Sequence, residues 1–374
     1  MRLQLPRTAS IGIRLRTLLL LALAPAALIA AAPTVASAAA PPPGFVGMTS
    51  EDVFADPGAY RAQTLGAQRG VGVQLIRQTF DWSRIEQSPG SYDFSTHDAY
   101  VSSLASHGMR VLPILFNPPH FRLGRTSGRA SCAPGSFDTF AAFAQALVRR
   151  YGPGGSLWAE HPSLPKVPIT SWQIWNEPNL GIYWCNRASA RQYVRMLRAV
   201  GGAIKKADPK AEIVTAGLPP SKLSSAVPIE SYIRQMYRAG GKKAFDTMAI
   251  NSYAKNRAEL RTLLRTIRRI MNRSGDRRAP IWITELGWGD AGPAHRFIVG
   301  SAGQAKRISS SFTEILRQRK GLRLRGVVYY TWRDAAPYPP LYRDLWGLHT
   351  GLLDASANPK PAYYAFRDAV ARFK

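Results

Sequence analysis

Short apolar runs alternate with longer amphipathic stretches along most of the chain. The runs cover 45–48, 73–77, 110–116, 171–175, 212–217, 245–250, 280–284 and 326–331. Each is rich in Val, Ile or aromatic residues and about 4–8 residues long, the mark of strands buried on both faces in a parallel sheet. The stretches between them keep a helical period. Phe137, Phe140, Ala141, Ala144 and Leu147 recur at i, i+3, i+4 spacing, and Tyr193, Leu197, Val200 and Ile204 do the same with arginines on the opposite face. Segments 136–151, 188–207, 258–271 and 304–320 are thus predicted helices. Gly108, the Asp208-Pro209 step and Gly321 punctuate helix ends before the next run. Eight strands interleaved with seven or eight helices predict a single (β/α)8 TIM barrel. An open doubly wound sheet would place a Gly-rich phosphate loop after its first strand, and segment 44–50 offers none.

The barrel is predicted to occupy 45–374. Arg2, Arg7, Arg14 and Arg16 precede an uncharged apolar run over 17–32, and Ala36-Ser37-Ala38 offers small residues for cleavage. That layout predicts a secretory signal over 1–38, followed by a Pro-rich leader over 39–44. The alternative is an uncleaved anchor, since the apolar run can stretch to about 20 residues, enough to span a bilayer. With cleavage, no stable membrane span is expected, and the protein is placed outside the cell or at its wall. The whole sequence carries a net charge of +27. Removing four arginines leaves it strongly basic, which favours acidic partners. Nucleic acid is not expected: the basic residues are dispersed and no recognised binding motif is present. A monomer is expected. Export also makes free thiols unusual, so Cys132 and Cys185 are predicted to form one disulfide.

Two segments carry candidate chemistry. The fourth run ends Trp172-Gln173-Ile174-Trp175-Asn176-Glu177-Pro178, and the seventh ends Ile281-Trp282-Ile283-Thr284-Glu285-Leu286-Gly287-Trp288. Each glutamate follows apolar residues and precedes a chain-breaking turn, where a carboxylate is costly unless paired, hydrogen-bonded or used. Either alone could be a structural glutamate. Both together, at the ends of strands placed across a barrel, point to a paired-carboxylate site on the C-terminal face.

Asn176-Glu177-Pro178 after one strand, with Glu285 ending a later one, resembles the clan A (β/α)8 retaining glycoside hydrolases, above all families 39 and 5. The similarity runs from about Phe45 to the C-terminus. It implies Glu177 as acid/base and Glu285 as nucleophile, acting on O-glycosidic bonds of an extracellular or cell-envelope polysaccharide or oligosaccharide. Arg77 resembles the arginine that holds the nucleophile, and Asn176 the residue that contacts the sugar 2-hydroxyl. Tyr253 resembles the strand-six tyrosine that reaches the nucleophile, and Trp332 the strand-eight aromatic beneath the sugar. One position departs from the pattern: Asn251 stands where many relatives carry histidine, which leaves the neighbouring subsite open. A transglycosidase, or a barrel that binds carbohydrate without cleaving it, shares these residues.

Aromatic residues in the predicted face loops, Tyr183, Trp184, Trp288 and Trp346, suit sugar C–H faces as well as they suit loop packing. His120 could hydrogen-bond a sugar or pack. The six histidines show no metal-ligand spacing. Neither a metal nor a cofactor is expected, and the partner is a carbohydrate.

Overall fold

The computed structural model describes residues 41–124, 132–185, 187–335 and 344–373. The predicted signal segment lies outside them. Eight parallel strands form the barrel: β1 (Val46–Thr49), β2 (Leu75–Asp81), β3 (Arg110–Phe116), β4 (Ser171–Ile174), β5 (Glu212–Val214), β6 (Met248–Asn251), β7 (Ile281–Leu286) and β8 (Leu324–Tyr330). The hydrogen-bonded order β5-β4-β3-β2-β1-β8-β7-β6 closes at β5 and β6 through parallel bridges, Val214 to Thr247 and Leu218 to Ile250. This is a (β/α)8 barrel, as the alternation of apolar runs implies. Helices Phe137–Tyr151, Ala190–Ala207, Arg257–Arg273 and Ser301–Leu322 match the predicted amphipathic segments to within three residues. No helix among the described residues is long and apolar enough to cross a membrane.

Side chains fill the barrel. Leu75, Leu112, Val214, Ala249, Trp282 and Val328 form one buried cluster inside it. The Trp282 indole takes the largest share, and Gly326 makes room for it, because a Cβ there would lie 2.8 Å from Trp282 Nε1. A larger core surrounds this plug, where the helices cover the outer face of the strands.

The strand ends differ from the sequence reading in ways that matter for the site. β2 runs on to Asp81, because Gln78 to Asp81 stay paired with Pro113 to Phe116. β5 is short, and its continuation over 215–218 donates backbone hydrogen bonds from Thr215 to Thr247, just before β6, and from Leu218 to Ala249 within it. β7 carries an irregularity: Ile283 pairs with Ile250, but Glu285 rather than Thr284 pairs with Asn251. A bulge re-aims the residues that follow it. Here it lets both Thr284 and Glu285 bond groups at the barrel mouth.

After β2 the chain turns through Trp82, whose ring lies stacked on Phe140 and Phe143 of the helix Phe137–Tyr151, at 5.1 Å from each. Its indole N–H donates to Glu86, which also accepts from Arg122. Trp82→Ala should therefore remove about 3–5 kcal/mol of stability. Urea unfolding monitored by circular dichroism should show a lower midpoint with an unchanged slope.

Candidate active site

Arg77 lies on β2 at 2% exposure, and its guanidinium holds three partners. Nη1 donates to Glu285 Oε1 at 2.7 Å, Nε to Gln173 Oε1 at 2.7 Å, and Nη2 to Asn176 Oδ1 at 3.1 Å. The planar fork thus ties β7, β4 and the loop after β4 to β2. Gln173 is fixed in turn by donating to the Thr215 carbonyl at 3.0 Å. Because Asn176 Oδ1 is occupied, its Nδ2 is left to donate into the cavity.

Glu285 accepts a second hydrogen bond, from the Tyr253 hydroxyl. Burial, and next the nearby Glu285 charge, hold the Tyr253 phenol well above its usual range, so it stays a donor. The Ser252 amide donates to the Glu285 carbonyl at 2.8 Å and fixes the backbone beneath the side chain.

Glu177 meets different surroundings. Its Oε1 accepts from Asn251 Nδ2 at 2.7 Å, and no cation is bonded to it among the described residues. Burial first, and the negative charge of Glu285 second, push its pKa up to about 8; the Asn251 amide and Arg77 pull the other way. Glu177 therefore keeps its proton near neutrality, whereas Glu285 is ion-paired with Arg77. Pairs of carboxyl groups split in this way divide acid and base roles. The backbone is strained at the same place: Trp175 and Glu177 have φ of 74° and 46°. Such residues cost about 1–3 kcal/mol each and persist where their surroundings fix them. The Trp175 indole donates to the Tyr183 carbonyl at 2.8 Å, and the Leu180 amide donates to the Glu177 carbonyl at 2.9 Å.

Asn251, the position at which the sequence departs from the resemblance, is the residue that touches Glu177. Thr284 Oγ1 donates to its Oδ1 at 2.9 Å, which orients the amide with its N–H groups toward the carboxyl. Gly217 leaves space for it, since a Cβ at that position would lie 2.0 Å from Asn251 Oδ1.

Glu177, Glu285, Arg77, Asn176 and Tyr253 line one cavity of about 410 Å³ at the C-terminal end of the strands. Thr49, Glu51, Asn117, Tyr183, Tyr330 and Trp346 line it too. Glu51 lies two residues past the end of β1 and accepts from Gln78 at 2.9 Å. A second cavity of about 680 Å³ adjoins the first and shares Glu177, Tyr253 and Trp346 with it. Its other walls include Leu180, Pro219, Leu223, Ile229 and Phe297. Trp346 stands between the two, stacked on His295 at 5.4 Å and edge-on to Tyr253 at 5.0 Å.

Several anticipated residues lie elsewhere. Trp332 is buried against Tyr363 and does not line the cavity; β8 ends at Tyr330, so the chain has left the strand before Trp332, and Tyr330 and Trp346 face the space instead. Trp184 is buried between Trp175 and Tyr193, and Trp288 is buried with its N–H on the Ala254 carbonyl. Neither lines either cavity. His120 sits exposed in a short 3-10 turn, away from both. Cys132 and Cys185 are bonded, with Cα atoms 4.9 Å apart, and join the loops after β3 and β4.

No family profile matches the chain. A family 39 glycoside hydrolase from Bacteroides cellulosilyticus superposes with a TM-score of 0.64 at 19% identity, over 88% of this chain and 64% of that one. The likeness extends over the (β/α)8 barrel. A family 5, subfamily 18 enzyme from Streptomyces cattleya, solved with Manβ1-4GlcNAc, superposes with a TM-score of 0.62 at 14% identity, over 88% of this chain and 80% of that one. In sequence, a β-xylosidase of Geobacillus stearothermophilus is 21% identical over 244 residues, 61% of this chain. The chain spans 44% of the length of that curated relative.

The Asn251 amide favours the ionised form of Glu177, so deleting it raises the carboxyl pKa further. Asn251→Ala should raise the Glu177 pKa above the value of about 8 it has with the amide present, as read by NMR titration of the side-chain carboxyl. Gly217→Ala, which expels the Asn251 amide, should move it the same way.

Proposed function

We propose that the chain is a retaining glycoside hydrolase in which Glu285 is the nucleophile and Glu177 the acid/base. The observation that carries this reading is the unequal treatment of two carboxyl groups in one cavity. Arg77 and Tyr253 donate to Glu285, whereas Glu177 meets a neutral amide and has its pKa pushed up to about 8.

In the first step a Glu285 oxygen attacks the anomeric carbon and the bond from that carbon to the leaving oxygen breaks. Glu177 gives its proton to that oxygen. The product is a glycosyl ester on Glu285. In the second step Glu177, now a carboxylate, takes a proton from water as that water attacks the same carbon and frees Glu285. Two inversions at one carbon give net retention, the outcome for carboxyl groups about 5–5.5 Å apart. The Asn176 Nδ2 is placed to donate to the sugar 2-hydroxyl. The sugar that is attacked occupies the inner cavity, where both carboxyls lie. The leaving group points into the outer cavity, which contains Glu177 but not Glu285.

The substrate we infer is a glycan of the extracellular space or cell envelope, reached after export. The basic n-region, the apolar run and Ala36-Ser37-Ala38 support the export step, and the +27 charge supports an acidic glycan.

The proton given by Glu177 matters only when the leaving group is a poor one. With an alkyl glycoside, Glu177→Ala should lose about 10²–10⁴-fold in kcat/KM. With a dinitrophenyl glycoside of the same sugar the first step should be nearly unaffected. Equal loss on both substrates would assign the proton to another group. In the parent protein activity should fall as pH rises through about 8, as Glu177 loses that proton.

A further inference from the structure

The outer side of the barrel carries a basic belt that the catalytic site does not use. Arg191, Arg195 and Arg198 recur at i, i+4, i+7 on the exposed face of the helix Ala190–Ala207, and Arg234 and Arg238 at i, i+4 on the helix Ile229–Arg238. Between these helices lies a cleft of about 600 Å³ lined by Arg191, Arg195, Arg198 and Arg238 and by no acidic side chain. It begins at Ala188 and Ser189, just past the loop that follows Glu177, and continues into two neighbours. One, of about 360 Å³, shares Arg238 and adds Arg234 and Arg273; the other, of about 300 Å³, shares Arg198 and adds Lys242 and Lys243. The one acid in all three, Asp246, is already paired with Lys205 at 2.9 Å.

Like charges spaced i, i+4 on a helix repel, and a protein surface normally intersperses acids among them. Other parts of the surface do so, where Arg150 meets Asp98, Arg296 meets Glu259, and Arg317 meets Glu314, although Arg257, Arg261, Arg265, Arg269 and Arg273 also recur at i, i+4 on the adjoining helix Arg257–Arg273. Arg198 spends its guanidinium on the carbonyls of Ala239 and Gly240 at the end of the neighbouring helix, at 3.0 Å each. Arg191, Arg195, Arg234 and Arg238 form no ion pair among the described residues. Their forks remain turned to solvent, where such a row concentrates anions.

We propose that this belt binds a linear acidic polysaccharide and holds it beside the catalytic face. A chain suits three connected clefts better than a planar surface does. The exposed large apolar residues Phe121, Ile182, Leu223, Leu345 and Tyr364 all lie off the belt, so nothing there would enter a lipid layer. The two aromatics in these clefts offer no face for stacked bases: Tyr237 is half-buried with its hydroxyl on Asp276, and Phe245 is buried. Choosing a polysaccharide over other polyanions rests on the glycosidase reading; the belt itself does not.

The test is titration of the full chain with polygalacturonate at several NaCl concentrations, beside dextran, duplex DNA and phosphatidylglycerol vesicles. Three proteins are compared: the parent, R195E/R238E, and K306E/K320E, which changes the charge equally on exposed positions of the helix Ser301–Leu322. The parent should bind polygalacturonate and not dextran, and more weakly as salt rises. R195E/R238E should weaken binding at least about tenfold, K306E/K320E less than about twofold, and both should turn over an aryl glycoside at the parent rate. Equal weakening in the two variants would reduce the effect to net charge and overturn the site. Absence of polygalacturonate binding, or tighter binding of DNA or vesicles, would overturn the polymer. Polymer binding that persists in a protein that cleaves no glycoside would instead overturn the catalytic reading and leave the belt.

Discussion

The buried ion pair between Arg77 and Glu285 is the contact on which the rest of the site depends. Both groups are nearly sealed from water, at 2% and 7% exposure. Desolvating two charges is offset only when geometry is good and the remaining donors and acceptors are satisfied. Here the other guanidinium arms reach Gln173 and Asn176, and the other carboxylate oxygen reaches Tyr253. Removing one partner from such a pair costs about 3–5 kcal/mol, because the other is left charged and alone. One arginine therefore fixes the anion, the orientation of the Asn176 amide and the relative placement of β2, β4 and β7.

The second carboxyl acquires its character from that same anion. Glu177 is buried in the space that Glu285 charges, and only a neutral amide is offered to it in return. A lysine or arginine in place of Asn251 would hold Glu177 in its charged form. A hydrophobic residue there would leave the Glu177 oxygen without a partner. An amide oriented by Thr284, in the space left by Gly217, lies between these extremes. The positive φ at Trp175 and Glu177 belongs to the same economy, since the loop is bent to bring the carboxyl over the cavity.

The barrel could be read from the sequence because strand and helix periods alternate cleanly, and buried parallel strands are nearly all apolar. Glu177 and Glu285 stood out because an acid at the end of an apolar run has few structural uses. The aromatic assignments fared differently. Trp332, Trp184 and Trp288 occupy loop positions that a linear reading assigns to the open face, yet each turns inward to pack, because where a strand ends decides which way its successor points. Glu51, Tyr330 and Thr284 escaped for the converse reason. They follow from the exact end of a strand or from the β7 bulge, neither of which leaves a periodic trace. Asn251 was noticed only as a departure, and its bond to Glu177 required the fold to bring β4 and β6 together.

The most direct measurement of the division between the two carboxyls is the site of covalent capture. Incubation with a 2-deoxy-2-fluoro glycoside carrying a dinitrophenyl leaving group slows the second step more than the first. Peptide mass spectrometry should then find one sugar on Glu285, and none in a Glu285→Gln protein. An adduct on Glu177 or Glu51, or labelling that survives the Glu285 substitution, would contradict the account.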